Sequence, residues 1–305
     1  MRNITILVFL AAMNFALAFL AAEEPLSPTA SRPGSQPATK PADIYAKWPF
    51  DAKEAVRRRN ETAKALGIKE ELSLDLGNDV KMKLVLIPAG KFMMGSPSEL
   101  GYKDELQHEV IISRPFYMGV YAVTQEQYEQ VIGKNPSSFK GAQNPVESVS
   151  WEDVVAFCKA VSRKTDKLVR LPTEAQWEYA CRAGAKTNYW FGNSGLANYE
   201  WYGTSGNNNK KTHPVGQKKP NAWGMYDMTG NVMQWCQDWY GEDYYANSPK
   251  VDPQGPDEGH GHVLRGTCWG NSSPQTYRCS RRFWSTGGTR ERGFRIVVLL
   301  DKEHP

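Results

Sequence analysis

The sequence predicts an α+β domain with little regular secondary structure, and three observations carry that prediction. Three helix starts are marked by capping-box spacing, a set of short apolar runs reads as strands, and residues 184–256 show no periodicity. Ten Trp, fourteen Tyr and 26 Gly suit short strands joined by long packed loops better than a helical bundle.

Met1-Arg2 places a positive charge ahead of an apolar run from Ile4 to Ala22 with a small-residue exit, the layout of a signal peptide over residues 1–22. An uncleaved anchor of marginal length is the other reading of that run, and no second stretch is apolar enough to span a bilayer. Residues 23–45 are rich in Pro, Ser, Ala and Thr and bury too little to offset their ordering entropy, so they read as a tether. Residues 46–79 form a lead-in. Asp51 to Leu66 has strong helix formers, an Asp N-cap and Gly67 as a stop, but a thin apolar face, as in a surface helix. Leu72, Leu74 and Leu76 then alternate with polar residues as in a strand.

Residues 80–300 form the main domain. Leu84 to Ile87 is an apolar run closed by Pro88-Ala89-Gly90, and Phe92 to Met94 before Gly95-Ser96 reads as another strand. Thr124 with Gln127, Ser150 with Asp153, and Thr173 with Gln176 each put a hydroxyl at an N-cap and an acceptor three residues on, and amphipathic runs follow all three. The chain returns to strands at His262 to Arg265 and Phe294 to Leu300.

The net charge of +4 is spread without a dense basic block, which argues against nucleic acid as a partner. Five cysteines in an exported chain suggest disulfides with at least one thiol left over. His260 and His262 could share one strand face as metal ligands, although two histidines without a third ligand are more often a solvated loop. Arg281 and Arg282 could line an anionic pocket, or be a surface pair or a buried Arg with a carboxylate partner. Trp201, Trp223, Trp235, Trp269 and Trp284 could wall a cleft, or pack the core of a loop-rich fold.

Seven motifs in order carry a resemblance across residues 80–300. They are Pro88-Ala89-Gly90-x-Phe92-x-Met94-Gly95, Val149-Ser150-Trp151, the run from Arg170 to Ala180, the run from Asn221 to Val232, Asp238-Trp239-Tyr240, Arg265-Gly266-x-x-Trp269 and Gly293-Phe294-Arg295. Together they resemble the formylglycine-generating enzyme family, the sulfatase-modifying factors, which implies a variant of the C-type-lectin-like fold. In the family's oxidases, the resemblance implies, two cysteines bind copper(I) and oxygen converts a sulfatase cysteine to formylglycine. Here those positions are Asn271 and the stretch Pro274-Gln275-Thr276. Copper(I) prefers soft thiolates, and amide or hydroxyl groups do not replace them.

The resemblance also implies a disulfide between Cys181 and Cys279. Cys158 matches half of a second cross-link whose other half is Ile296 here, so it reads as a buried free thiol. Cys268, beside the lost site, is either a bridge to Cys236 or a relocated copper or redox thiol. By position, Asp227, Gly230, Val232 and Gln234 would hold a structural calcium ion, with Gln234 where the family more often has Glu; the alternative is a Gly-Asn turn closed by its own hydrogen bonds. A second calcium site would map loosely to Asn198, Tyr199, Asn207 and Asn209, without a carboxylate.

Two functional expectations follow. In one, the chain is an exported binding or accessory module whose cleft near Asn271, Trp235, Trp269 and Arg281 holds a protein, peptide or glycan, with copper absent. In the other, it is an oxidoreductase of the same family acting on an exported protein such as a sulfatase, through other residues or through Cys268.

Overall fold

The computed structural model describes residues 45–97, 99, 101–192, 194–201, 203 and 210–300. The signal-peptide and tether expectations for residues 1–44 lie outside them, as do Asn207 and Asn209 of the second calcium expectation.

Helix α1 (Ala52–Ala65) begins where the side chain of Asp51 accepts from the Glu54 N–H, and Gly67 follows its end in the left-handed region at φ 63°. Its thin apolar face still docks. Ala55, Ala63 and Arg58 are buried, and the Arg58 guanidinium lies over the rings of Phe50 and Tyr45. The helix is therefore attached through small side chains and a cation–π contact instead of a leucine stripe.

Strands β1 (Glu71–Asp75), β2 (Lys81–Ile87), β5 (Phe116–Gly119), β6 (Leu168–Arg170) and β11 (Val297–Leu299) form an antiparallel sheet in the order β1-β2-β5-β11-β6. Strands β3 (Gly90–Met94) and β4 (His108–Ile112) form a separate hairpin. A four-stranded sheet has the order β10-β7-β8-β9, with β7 (Met233–Trp239), β8 (His262–Arg265), β9 (Arg282–Ser285) and β10 (Arg292–Gly293).

All three capping boxes form as read. They start α2 (Gln125–Ile132), α3 (Trp151–Thr165) and α4 (Glu174–Arg182). Tyr128 of α2 stacks on Phe157 of α3 at 5.5 Å, and Phe294 meets both rings edge-on. Every residue of α4 is buried, including Glu174, Glu178 and Arg182, so its charges need partners inside the protein.

The expectations miss in two places. Residues 184–256 contain the short helix α5 (Leu196–Tyr199) and strand β7, and the C-terminal strand covers only Val297–Leu299 instead of the whole Phe294 to Leu300 run. Strand β7 pairs antiparallel with β8 and parallel with β10 and has both faces buried, so its sequence shows no alternation.

Candidate functional site

The segment that carries Asn271 and Gln275 follows β8 and turns into a short 3-10 helix, Pro274–Tyr277. Its backbone is pinned from several directions. The Asn271 carbonyl accepts from the Gly203 N–H at 2.6 Å and from the Tyr277 hydroxyl at 2.7 Å, and the Pro274 carbonyl accepts from the Tyr189 hydroxyl at 3.0 Å. Gly203 is required by close approach, since a Cβ there would lie 2.4 Å from the Asn271 oxygen. Ser272 to Gln275 face solvent. The surface so presented consists of amide, hydroxyl and pyrrolidine groups.

Cys268 lies three residues before Asn271 but is only 4% exposed, and burial pushes its thiol up to about 11. It is protonated at neutral pH. The expected bridge to Cys236 is not formed, and both thiols are free. The sheet register explains this: Gln234 lies opposite Arg265, so Cys236 runs toward Val263, while the Trp269 N–H bonds the Asn231 carbonyl and draws Cys268 to the other end of β7. Strand residues rise about 3.3 Å each, so the two α-carbons are separated by more than a disulfide spans. Cys181 on α4 and Cys279 are brought together, with sulfurs 3.4 Å apart. Burial raises both thiols. For Cys279 the hydrogen bond donated by Cys181 and the Arg182 charge outweigh it, so Cys279 is the more acidic of the two. Cys158 is a buried thiol on α3, pushed up to about 12 by desolvation.

The residues expected to hold calcium do not fit the ion. Asp227 is buried; its Oδ2 accepts from the Gly216 N–H at 2.8 Å and its Oδ1 has no hydrogen-bond partner, as a cation ligand would. Gln234, however, is locked with its oxygen elsewhere. Its Oε1 accepts from Trp177 Nε1 at 2.8 Å and Arg295 Nε at 2.6 Å, while its Nε2 donates to the carbonyls of Asp227 and Met228. Flipping the amide would set its N–H groups against two donors. The buried Arg295 guanidinium also donates to the carbonyls of Gly119, Tyr226 and Asp227. Of the expected ligand set, the Gln234 oxygen is thus already taken by two donors, one of them a fixed cation, which leaves Asp227 as its only carboxylate, well short of the six to eight oxygens calcium takes. Chelation with EDTA is expected to leave the melting temperature within about 1 °C, whereas a drop of several degrees on chelation would restore the calcium reading.

Arg281 and Arg282 belong to a buried ionic network, the carboxylate-paired alternative for these two residues, with partners far away in sequence. Arg265 bonds Glu174 at 3.0 Å and Glu178 at 2.5 Å, Arg282 bonds Glu174 at 2.8 Å, and Arg182 bonds Glu178 at 2.8 Å. Arg278 and Arg281 bond Glu105 at 2.5 Å and 3.2 Å. Burial alone would raise the Glu174 carboxyl, but the Arg282 and Arg265 charges hold it below the ordinary carboxylate range. The available signal was the spacing of Glu174, Glu178 and Arg182, each four residues from the next, on a helix whose remaining positions are mostly apolar.

The tryptophans do not wall one cleft. Trp223 and Trp235 are core residues, the latter donating to the Val149 carbonyl, and Trp269 is buried edge-on to Phe139 with its N–H on the Arg290 carbonyl. Trp201 stacks on His213 at 3.7 Å, and Lys218 lies over its ring. Only Trp284 of the five is exposed, at 49%. His262 is sandwiched between Trp151 and Trp239 at 3.7 Å and 3.8 Å, and His260 is exposed, so the two imidazoles share no metal position. Among the described residues no group of three or more His, Cys, Asp or Glu is arranged to hold a metal ion.

An α+β domain of low helix content, with its helices set against curled sheets and its loops held by buried polar contacts, defines a lectin-type scaffold of the kind that carries a site on its loops. The chain belongs to the sulfatase-modifying factor family: the profile of the "Sulfatase-modifying factor enzyme 1-like domain" matches residues 76–300. It is similar to the formylglycine-generating enzyme of Streptomyces coelicolor, with 38% identity over 143 residues covering 43% of this chain and 44% of that protein. It is similar to "Chaperone protein LppX" of Paenibacillus barcinonensis, with 35% identity over 52% of this chain and 71% of that one. It also resembles "Serine/threonine-protein kinase pkn1" of Chlamydia pneumoniae, with 33% identity over 68% of this chain but only 36% of the relative's length. Among solved structures, Treponema denticola variable protein 1 superposes with a TM-score of 0.70 at 29% identity over 76% of this chain and all of that one. PvdO from Pseudomonas aeruginosa does so with 0.67 at 28%, over 76% and 99%. Among the described residues no helix is long and apolar enough to cross a membrane.

Proposed function

We propose that this chain is an exported binding or accessory module of the sulfatase-modifying factor family and does not carry out copper-dependent cysteine oxidation. The observation that carries the reading is the chemistry at the segment from Asn271 to Thr276: an amide, two serines, a proline, a glutamine and a threonine where the family's oxidases hold copper(I) by two thiolates. The segment itself contains no thiol, and hydrogen bonds from Tyr277 and Tyr189 hold its Asn271 and Pro274 carbonyls in place. Cys268 is closed off by burial and protonation. Export is supported by the apolar run after Met1-Arg2. In an oxidising compartment Cys181 and Cys279 would close the cross-link that ties α4 to the C-terminal loop. A relative described as a chaperone is in keeping with an accessory role on other proteins.

The test is direct. Purified protein, copper(I), oxygen and a reductant are incubated with a cysteine peptide of the sulfatase type, and aldehyde is captured with a hydrazide probe. The cysteine is expected to remain a thiol; probe-reactive aldehyde formed at catalytic turnover would overturn the proposal.

A further inference from the structure

Strand β9 is the outer strand of the four-stranded sheet. One side pairs with β8, with Val263 opposite Trp284 and Leu264 opposite Phe283. In an antiparallel pair alternate residues turn their N–H and C=O outward, so two of the four residues from Arg282 to Ser285 direct backbone groups off the open edge. Among the described residues those groups have no backbone partner beyond β8. The edge is short, at four residues, and its Arg282 side chain turns inward. It carries no Pro, no Lys and no bulge, and it presents Phe283 half-buried and Trp284 at 49% exposure.

The two faces beside the edge differ in chemistry. On one, Trp284 stacks near Tyr240 at 6.0 Å, and the segment leading to Gly261 runs alongside, where a Cβ on Gly261 would lie 2.8 Å from the Trp284 ring. Burial chiefly raises the Tyr240 phenol, and the exposed Glu242 lies close enough for its charge to add to that; the exposed Glu258 precedes Gly259, whose backbone packs on the Tyr240 carbonyl. On the other face the Arg281 guanidinium bridges the rings of Phe283 and Tyr102 at 4.6 Å and 4.1 Å, its charge already met by Glu105. Tyr102 is itself 49% exposed. Trp, Tyr and Arg are the residues that dominate binding energy where proteins meet.

We infer that the open edge of β9 is a docking edge for an extended peptide segment of a partner protein, added as a further strand, with basic side chains over the Trp284 face and apolar side chains over the Phe283 face. Main-chain hydrogen bonds to the outward groups of β9 supply sequence-independent affinity. Side chains of a docked strand alternate between faces, so the pattern is basic–apolar–basic. The Lys or Arg side chain meets the Trp284 indole in a cation–π contact, beside the Tyr240 ring that Arg282 already covers, with Glu242 and Glu258 on the neighbouring segments. On the other face Arg281 already covers the Phe283 and Tyr102 rings, so that side receives a Val, Ile or aromatic residue. This deepens the binding-module reading and rests on it, but the copper and aldehyde assays test that reading without involving β9.

The experiment is a selection of phage-displayed octapeptides against the full chain, followed by affinity measurement of the enriched synthetic peptides. The expected peptides alternate Lys or Arg with β-branched or aromatic residues and weaken as salt is raised. Trp284→Ala, an exposed substitution that leaves the fold intact, is expected to lower their affinity at least tenfold, and Glu242→Gln with Glu258→Gln to lower it severalfold. N-methylation of alternate peptide amides tests strand addition without altering the protein and is expected to abolish binding in one register and spare it in the other. Enriched peptides that keep their affinity for Trp284→Ala, or tolerate N-methylation in both registers, would overturn the inference. So would a failure to enrich any peptide over the Trp284→Ala protein. Concentration-dependent dimerisation lost in Trp284→Ala would assign the edge to a second copy of the chain and equally overturn the peptide.

Discussion

Replacing Arg265 with methionine is expected to lower folding stability by about 3–5 kcal/mol, because it removes the guanidinium that donates to both buried carboxylates, Glu174 and Glu178, and leaves each with acceptor capacity unmet. Arg265 is fully buried and joins Glu174 to Glu178, and its guanidinium also lies over the Trp177 ring. Glu178 keeps Arg182 and Glu174 keeps Arg282, so two matched pairs remain, and what is lost is the guanidinium that bridges them and the hydrogen bonds it gives to both carboxylates. Urea denaturation measures the effect. Adding Glu174→Gln to Arg265→Met is expected to lower stability further, since it leaves the buried Arg282 guanidinium without its carboxylate; recovery of part of the loss would show that Arg282 does not depend on Glu174.

The second large effect is a pH dependence set by Asp238. Burial, with the neighbouring Glu174 charge, raises this carboxyl from 3.8 to about 7, against the hydrogen bond it accepts from the Glu174 N–H. Between about pH 4 and pH 7 the native protein therefore holds a proton that the unfolded chain has released. Stability falls as pH rises through that window, by at most about 1.4 kcal/mol per pH unit, and levels off above it. Asp227, raised to about 6 chiefly by burial, acts in the same direction. His262, lowered by burial, acts in the opposite direction as pH falls below its ordinary value, so the Asp238 contribution is isolated by a difference. Asp238→Asn keeps an oxygen for the Glu174 N–H and is expected to gain on the parent as pH is raised from 4 to 7. Parallel stability curves for the two proteins would show that Asp238 is ionised in the native state.

The parts of the fold legible in the sequence are those in which local chemistry and tertiary structure agree. Thr124, Ser150 and Thr173 each satisfy orphan N–H groups with a partner three residues on, so each helix start is encoded within four residues. Strand β7 is illegible for the opposite reason. Gln234 and Asp238 are polar but buried, and their partners are Trp177, Arg295 and the start of α4, more than fifty residues away in sequence. The same distance hides the network: Glu105 meets Arg278 across 173 positions. Gln234 shows how position alone misleads about the site. An amide where a carboxylate is more usual reads as a weakened calcium ligand, but the structure gives its oxygen to Trp177 and Arg295. Cys236 and Cys268 misled similarly, because neighbouring strands do not place their thiols at the same level of the ladder.

Titration with copper(I) under a competing chelator, with thiols counted after denaturation, tests most directly whether this scaffold has lost the family's oxidase centre. With Cys181 and Cys279 cross-linked, three free thiols and no stoichiometric high-affinity copper are expected. One equivalent of tightly bound copper(I), lost in Cys268→Ser, would contradict the account.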